Sequence, residues 1–360
     1  MSNRPKLYLH MGTHKTGTTA LQVFSVANRE VLRRHGLLYP DFSPFLSRLK
    51  DGHHSWAHAF TYQPTRLSNV QAHALVGYWQ TEAIEHNLSV IVSAEAMYRH
   101  VIGQGDYRIK RKRYLNALKK VLSSFDVVPI VVFRRPDDYI RSLYQESVAN
   151  ASSQLKLPAF ADYVANPPVG VNYRANANVI NQVFGTIRVL LYEDLTASEG
   201  SLGESFYRAL GYSLEGHTPT ERVRNSLTPV ETVIKNAVNQ HFSSREQSQA
   251  FIKALREPEM QALIQQAYPE SRYDLWPDQA SREVFLTSRE EDLVKLRKRY
   301  LPDRKALFPP LKIVEGEAIT AVPPPPEFLM QQVMNCLPIN NLATDSNLAT
   351  DPHRQHGRKP

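Results

Sequence analysis

Two short stretches of this chain carry residue types suited to holding a polyanion. In Gly12-Thr-His-Lys-Thr-Gly17-Thr-Thr19, the glycines let backbone approach a ligand closely, Lys15 brings a charge into the turn, and Thr16, Thr18 and Thr19 bring hydroxyls. The spacing Gly12-x-x-x-x-Gly17 matches the opening of a nucleotide phosphate loop, but Thr18 and Thr19 stand where that motif has Lys and then Ser or Thr. With its lysine displaced to position 15, the loop suits a phosphate bound without metal. The second stretch is Phe133-Arg134-Arg135-Pro136, continuing through Arg141-Ser142. Pro136 fits a first helical turn, which places Arg134 at the end of an apolar strand and Ser142 two turns along the next helix. A guanidinium there can meet two phosphate oxygens at once.

The elements that would position these groups alternate. Lys6 to Met11 is short and mostly apolar, as a strand buried on both faces requires, and Ala20, Val23, Phe24, Ala27 and Val31 then recur at helical spacing up to Gly36. Helical patterns at Ala74 to Glu85 and Ile109 to Ser124 lead into strands at Val90 to Ser93 and Val127 to Phe133. A strand at Ile187 to Tyr192 precedes the capping box Ser201-x-x-Glu204 and a helix ending at Gly211. This grammar predicts an α/β fold: a parallel sheet flanked by helices, with ligands held at the carboxyl ends of the strands. Residues 40–70 and 150–180 read as loops. From Pro229 to Tyr300 charged helix formers dominate, so the C-terminal part is expected to be mostly helical. We therefore expect one α/β domain over 1–312 and a disordered tail over 313–360, where four prolines at 323–326 precede a repeated Asn-Leu-Ala-Thr-Asp.

Three groups are candidates for a general base. His54 sits in a loop context beside His53; Glu95 follows the strand at Val90 to Ser93 and should reach the same end of the sheet; His14 adjoins the loop lysine. His54 is the favoured one. His54 and His58 are four apart, as helical zinc ligands are, but the His-Glu-x-x-His pattern is not met, and no metal site is assigned.

Composition narrows the classes further. The 360 residues include 43 Lys and Arg against 35 Asp and Glu, for a net charge of +8 that favours anionic partners. One cysteine, Cys336, excludes an intramolecular disulfide scaffold and cysteine zinc clusters. No apolar run approaches the roughly 20 residues of a membrane-spanning helix, and no apolar run follows Arg4 and Lys6, so no secretory signal is read and a cytoplasmic protein is expected.

Taken together, the two stretches resemble those of sulfotransferases. Lys15-Thr-Gly-Thr-Thr19 is similar to the family's 5′-phosphosulfate loop, and Arg134 to Ser142, with its intervening proline, to its 3′-phosphate motif. Tyr192-Glu-Asp-Leu195 and Arg222-Val-Arg-Asn-Ser-Leu-Thr-Pro229 extend the likeness to about residue 230, toward bacterial and carbohydrate-modifying branches. The C-terminal Gly-x-x-Gly-x-x-Lys element of the cytosolic small-molecule branch is absent. The resemblance implies a P-loop-like fold, 3′-phosphoadenosine 5′-phosphosulfate as donor substrate, no metal, and a hydroxyl or amine acceptor on a carbohydrate or glycolipid. It further implies that Lys15 acts on the leaving oxygen, that His14, Thr16, Gly17, Thr18 and Thr19 hold the 5′-phosphate, and that Arg134 and Ser142, with Arg222 or Arg224, hold the 3′-phosphate. Two other readings compete. A P-loop kinase or hydrolase is favoured by Gly12 to Gly17 and opposed by the missing Lys-Ser/Thr pair. A nucleic-acid-binding protein is suggested by Lys110-Arg-Lys-Arg113 beside Tyr107 and Tyr114, a run that is more often a solvated helix face.

Overall fold

A computed structural model describes residues 4–46, 52–62, 65–151, 156–220, 226–270, 272–311 and 319–337. Strand β1 (Lys6–His10) is buried at every position after its first, as its apolar composition requires. It is followed by α1 (Thr18–Ala27) and α2 (Arg29–Arg34), and Gly36, at φ 82°, turns the chain into a two-residue strand β2 (Leu37–Leu38). Next come the short α3 (His54–His58), α4 (Asn69–Glu85) behind a Ser68–Gln71 capping box, and β3 (Ser89–Ser93). A single turn, α5 (Ala96–Arg99), leads to α6 (Tyr107–Val121) and the long β4 (Asp126–Phe133). Helix α7 (Pro136–Asn150) opens on its proline and is followed by α8 (Phe160–Ala165), α9 (Tyr173–Phe184), β5 (Arg188–Leu191), α10 (Tyr192–Ala197) and α11 (Leu202–Ala209). The Ser201–Glu204 capping box expected from sequence opens α11.

The five strands form one parallel sheet in the order β2-β3-β1-β4-β5. Chain leaving β1 travels toward β2, whereas chain leaving β4 travels toward β5, so the neighbours β1 and β4 part in opposite directions. That divergence opens a crevice at their carboxyl ends, where open α/β sheets hold ligands. Both motif stretches begin at these two strand ends. The parallel α/β sheet is thus as the sequence predicts.

The chain divides into two compact units. The first comprises Met1–Leu143, Val164–Asn225 and Ala280–Glu317 and contains the sheet. The second comprises Tyr144–Tyr163, Ser226–Gln279 and Ala318–Pro360. It contains α12 (Pro229–Val238), α13 (Arg245–Leu255), α14 (Pro258–Ala267) and a strand β6 (Tyr273–Asp274); α15 (Gln279–Thr287) and α16 (Glu290–Tyr300) then fall almost wholly in the first unit. Strand β7 (Thr320–Ala321) pairs with β6, and α17 (Glu327–Asn335) places Leu329 and Val333 in a core with Ile234, Val238, Phe242 and Phe251. The disorder expected over 313–360 therefore does not extend to residues 319–337. The physical reason is the apolar i, i+4 pair Leu329 and Val333, which gives α17 a face to bury once the proline run has ended at its N-cap, Pro326. Residues 338–360 lie outside the described ones. Among the described residues no helix is long and apolar enough to cross a membrane.

Candidate functional site

The glycine loop is sewn to β4 beyond the end of its own strand. Met11 N–H donates to Ile130 O at 2.9 Å, and the Thr13 hydroxyl donates to Val132 O at 2.8 Å. Thr16 Oγ1 closes the turn on Thr13 O at 2.6 Å. Lys15 and Gly17 both adopt left-handed backbone, at φ 63° and 77°. For Lys15 this conformation costs about 1 to 2 kcal/mol, a strain held by the surrounding bonds. At Gly17 a β-carbon would also meet Leu202 Cδ1, so glycine is favoured there.

Two features of this loop fit an anion. No side chain caps the first turn of α1, and that turn has no acidic residue. Thr18 Oγ1, at the first position of the helix, is buried without a hydrogen-bond partner. Nearby, His10 at the end of β1 bonds Ser93 Oγ through Nδ1 at 2.8 Å, and burial lowers its pKa to about 3, so the ring is neutral.

At the β4 end the two consecutive arginines part company. Arg134 donates from Nη1 to Lys15 O at 3.2 Å, lies 5.0 Å from the centre of the Tyr192 ring, and has its own carbonyl held by Tyr173 OH at 2.8 Å. Arg135 turns away into ion pairs with Asp137 (2.8 Å) and Asp138 (2.9 Å), while its N–H donates to Glu193 Oε1 at 2.7 Å. Arg282 on α15 binds the same two aspartates. Burial would raise the Asp138 pKa, but Arg141, Arg135 and Arg134 outweigh it and hold the carboxyl below its ordinary range. Burial raises Glu193 instead. Only Arg134 of this pair thus reaches the glycine loop. Ser142 lies on α7, two turns beyond, 6% exposed. Arg222 and Arg224 lie outside the described residues.

On the β3 side, the candidate bases prove to be neighbours. His53 is locked in place: its Nδ1 accepts from Ser93 N–H at 3.1 Å, its Nε2 donates to Pro40 O at 3.1 Å, and burial lowers its pKa to about 3. This anchor sets His54 at the start of α3, with Nε2 3.6 Å from Glu95 Oε2. Glu95 is the N-cap residue of α5 but spends no side-chain bond on capping, and its Oε2 is buried without a hydrogen-bond partner. His58 packs edge-on to His100, with ring centres 4.5 Å apart. His14 Nδ1 lies 3.1 Å from Arg99 Nη2.

The structure thus brings His14, Lys15, Thr16, Gly17, Thr18 and Thr19 together with Arg134 on one side, and pairs His54 with Glu95 on another. Sequence reasoning missed Arg99, Tyr173, Tyr192 as a ring under Arg134, and Glu193. Tyr192 and Glu193 stood in the singled-out segment Tyr192-Glu-Asp-Leu195 without a role, and Arg99 had a signal in standing four residues after Glu95, on the same face of a helical turn. The basic run at 110–113 is not a single solvated face: Arg111 and Tyr114 are wholly buried, because both point inward on α6. Among the described residues no group of three His, Cys, Asp or Glu side chains could hold a metal ion.

No family model matches the chain, and no curated protein matches it in sequence. Among solved structures, a sulfotransferase from Alicyclobacillus acidocaldarius is similar at 15% identity and a TM-score of 0.36, over 68% of this chain and 98% of that one. At that level of likeness, function has to be read from the side chains themselves.

Proposed function

We propose that this protein moves the sulfuryl group of 3′-phosphoadenosine 5′-phosphosulfate to a hydroxyl or amine, the acceptor being a carbohydrate or glycolipid. The observation that carries the reading is the bond from Arg134 to the carbonyl of Lys15, which joins the two anion-binding stretches at one crevice. In this reading the uncapped start of α1, with Thr16, Gly17, Thr18 and Thr19, receives the 5′-phosphate, and Arg134 with Ser142 receives the 3′-phosphate. As the bond from sulfur to the bridging oxygen breaks and a bond from sulfur to the acceptor oxygen or nitrogen forms, negative charge gathers on the departing 5′-phosphate. Lys15 stabilises that charge. The acceptor proton passes to the His54–Glu95 pair, where Glu95 Oε2 has acceptor capacity to spare.

Trp56 is wholly buried and belongs to the core, so it is not a platform for a sugar ring. Tyr62, 87% exposed, lines an open groove of about 430 Å³ with Asn69, His73 and Lys120, a mixture of ring and polar groups that supports a glycan acceptor.

Thermal unfolding tests the donor assignment. Adenosine 3′,5′-bisphosphate at 100 times its dissociation constant adds about 2.7 kcal/mol, raising Tm, and ATP with Mg²⁺ leaves Tm unchanged. The reverse pattern would move the assignment to a P-loop kinase or hydrolase, and no shift with either would reject a nucleotide site. With donor binding in hand, turnover of His54→Ala and Glu95→Gln identifies the base: loss in one names it, and loss in neither removes both from the mechanism.

A further inference from the structure

The glycine loop is gripped from both neighbours of its strand. On the β4 side Arg134 holds the Lys15 carbonyl; on the β3 side Arg99 reaches the ring of the preceding residue, His14, at 3.1 Å. A guanidinium has donors only, so the His14 Nδ1 it meets must accept, and the ring proton resides on Nε2. Arg99 differs from Arg135 in a way that bears on its role. Arg135 is neutralised by two aspartates, whereas Arg99 has no carboxylate partner among the described residues and is exposed.

Arg99 also ends the single turn α5 that begins at Glu95. Residues four apart share one face of a helix, with β-carbons about 5 to 6 Å apart. One turn of backbone thus sends a carboxylate to His54 and a guanidinium to His14.

We propose that Arg99 is a positioning residue for group transfer. It fixes His14 as an Nε2–H donor beside Lys15 and ties the donor loop to the turn that carries Glu95, so that the group in transit and the acceptor base keep one register. The proposal rests on the sulfuryl-transfer reading for its kinetic consequence, but not for the tautomer it assigns.

The test combines ring-nitrogen NMR with kinetics on the full chain. In ¹⁵N-histidine-labelled wild type, His14 shows the Nε2–H tautomer, and Arg99→Ala releases it to a mixture. Arg99→Ala and His14→Ala each lower kcat about 100-fold, the scale of one preorganised donor, while affinity for adenosine 3′,5′-bisphosphate, which lacks the sulfuryl group, falls less than threefold. The double variant is no worse than either single one, because Arg99 acts through His14. Arg99→Gln, which keeps an N–H donor, recovers part of the loss. An Nδ1–H tautomer in wild type, or additive losses in the double variant, overturns the proposal. A wild type that binds no bisphosphate overturns the functional reading instead, and the tautomer still decides the Arg99–His14 assignment.

Discussion

The two flanks of the crevice are built to different tolerances. On the donor flank, bonds of 2.6 to 3.2 Å tie Thr13, Thr16, Lys15 and Arg134 to one another or to β4. On the acceptor flank, His54 and Glu95 stand 3.6 Å apart, and the facing carboxylate oxygen has no hydrogen bond. The difference teaches where the chain has completed its own geometry and where a substrate must complete it. In the proposed reaction, a nucleotide phosphate has the same shape in every turnover and can be met by a preset backbone. The proposed acceptor, by contrast, would bring its own hydrogen bond to the base.

Acid should act on this contrast most strongly. His10 on the donor flank and His53 on the acceptor flank are both wholly buried, with burial lowering each pKa from 6.5 to about 3; His100 is lowered likewise, by burial and by nearby His58. Between these values the unfolded chain takes up protons that the folded chain refuses. Stability is therefore full above pH 6.5 and falls as pH drops toward 3, by about 1.4 kcal/mol per pH unit for each fully buried ring. Two of the three rings belong to the acceptor flank, so its amides should lose hydrogen-exchange protection first. Simultaneous loss on both flanks would mean that the crevice unfolds as one piece.

Lys15→Ala comes next. We expect kcat to fall about 10² to 10³-fold, some 3 to 4 kcal/mol, and bisphosphate affinity to fall with it, because that product carries the 5′-phosphate charge Lys15 faces. The alanine also removes a cation from a residue whose backbone is left-handed. Lys15→Arg, which keeps charge but moves its position, separates the two effects: full activity in that variant would show that the flank's exact geometry is unimportant. Arg134→Ala should then weaken bisphosphate binding by about 1.5 to 3 kcal/mol, the value of a hydrogen bond to a charged group. Unchanged affinity by calorimetry would detach β4 from the donor site.

The same division explains what could be read before the fold was known. The donor flank is local chemistry: a strand, a glycine turn and a helix in succession, and then a strand, an arginine and a proline. Such patterns survive in one dimension. Tyr173 and Tyr192, which hold and underlie Arg134, lie 39 and 58 residues beyond it and are joined to it only by folding. Helix α9 was hidden because its Asn-rich sequence has low helix propensity, although Asn172 caps one end and left-handed Gly185 the other. The two-residue β2 is too short to show any periodicity. On the acceptor flank His54 and Glu95 were separate rivals in sequence, and their proximity follows from His53 being bonded to the end of β3.

Ser142→Ala is the finest probe of the donor flank. Ser142 is buried on α7, and alanine keeps its β-carbon and removes only oxygen. If Ser142 meets the 3′-phosphate with Arg134, its loss should cost about 0.5 to 1.5 kcal/mol, a two- to tenfold rise in the bisphosphate Kd with Tm of the unliganded protein nearly constant. Adenosine 5′-phosphate, which has no 3′-phosphate, should bind Ser142→Ala and wild type alike. Equal affinity of both proteins for the bisphosphate would leave Arg134 as the reader of that phosphate without Ser142. The preset geometry of the donor flank would then end at the strand, with α7 serving to hold Arg135 in its ion pairs with Asp137 and Asp138.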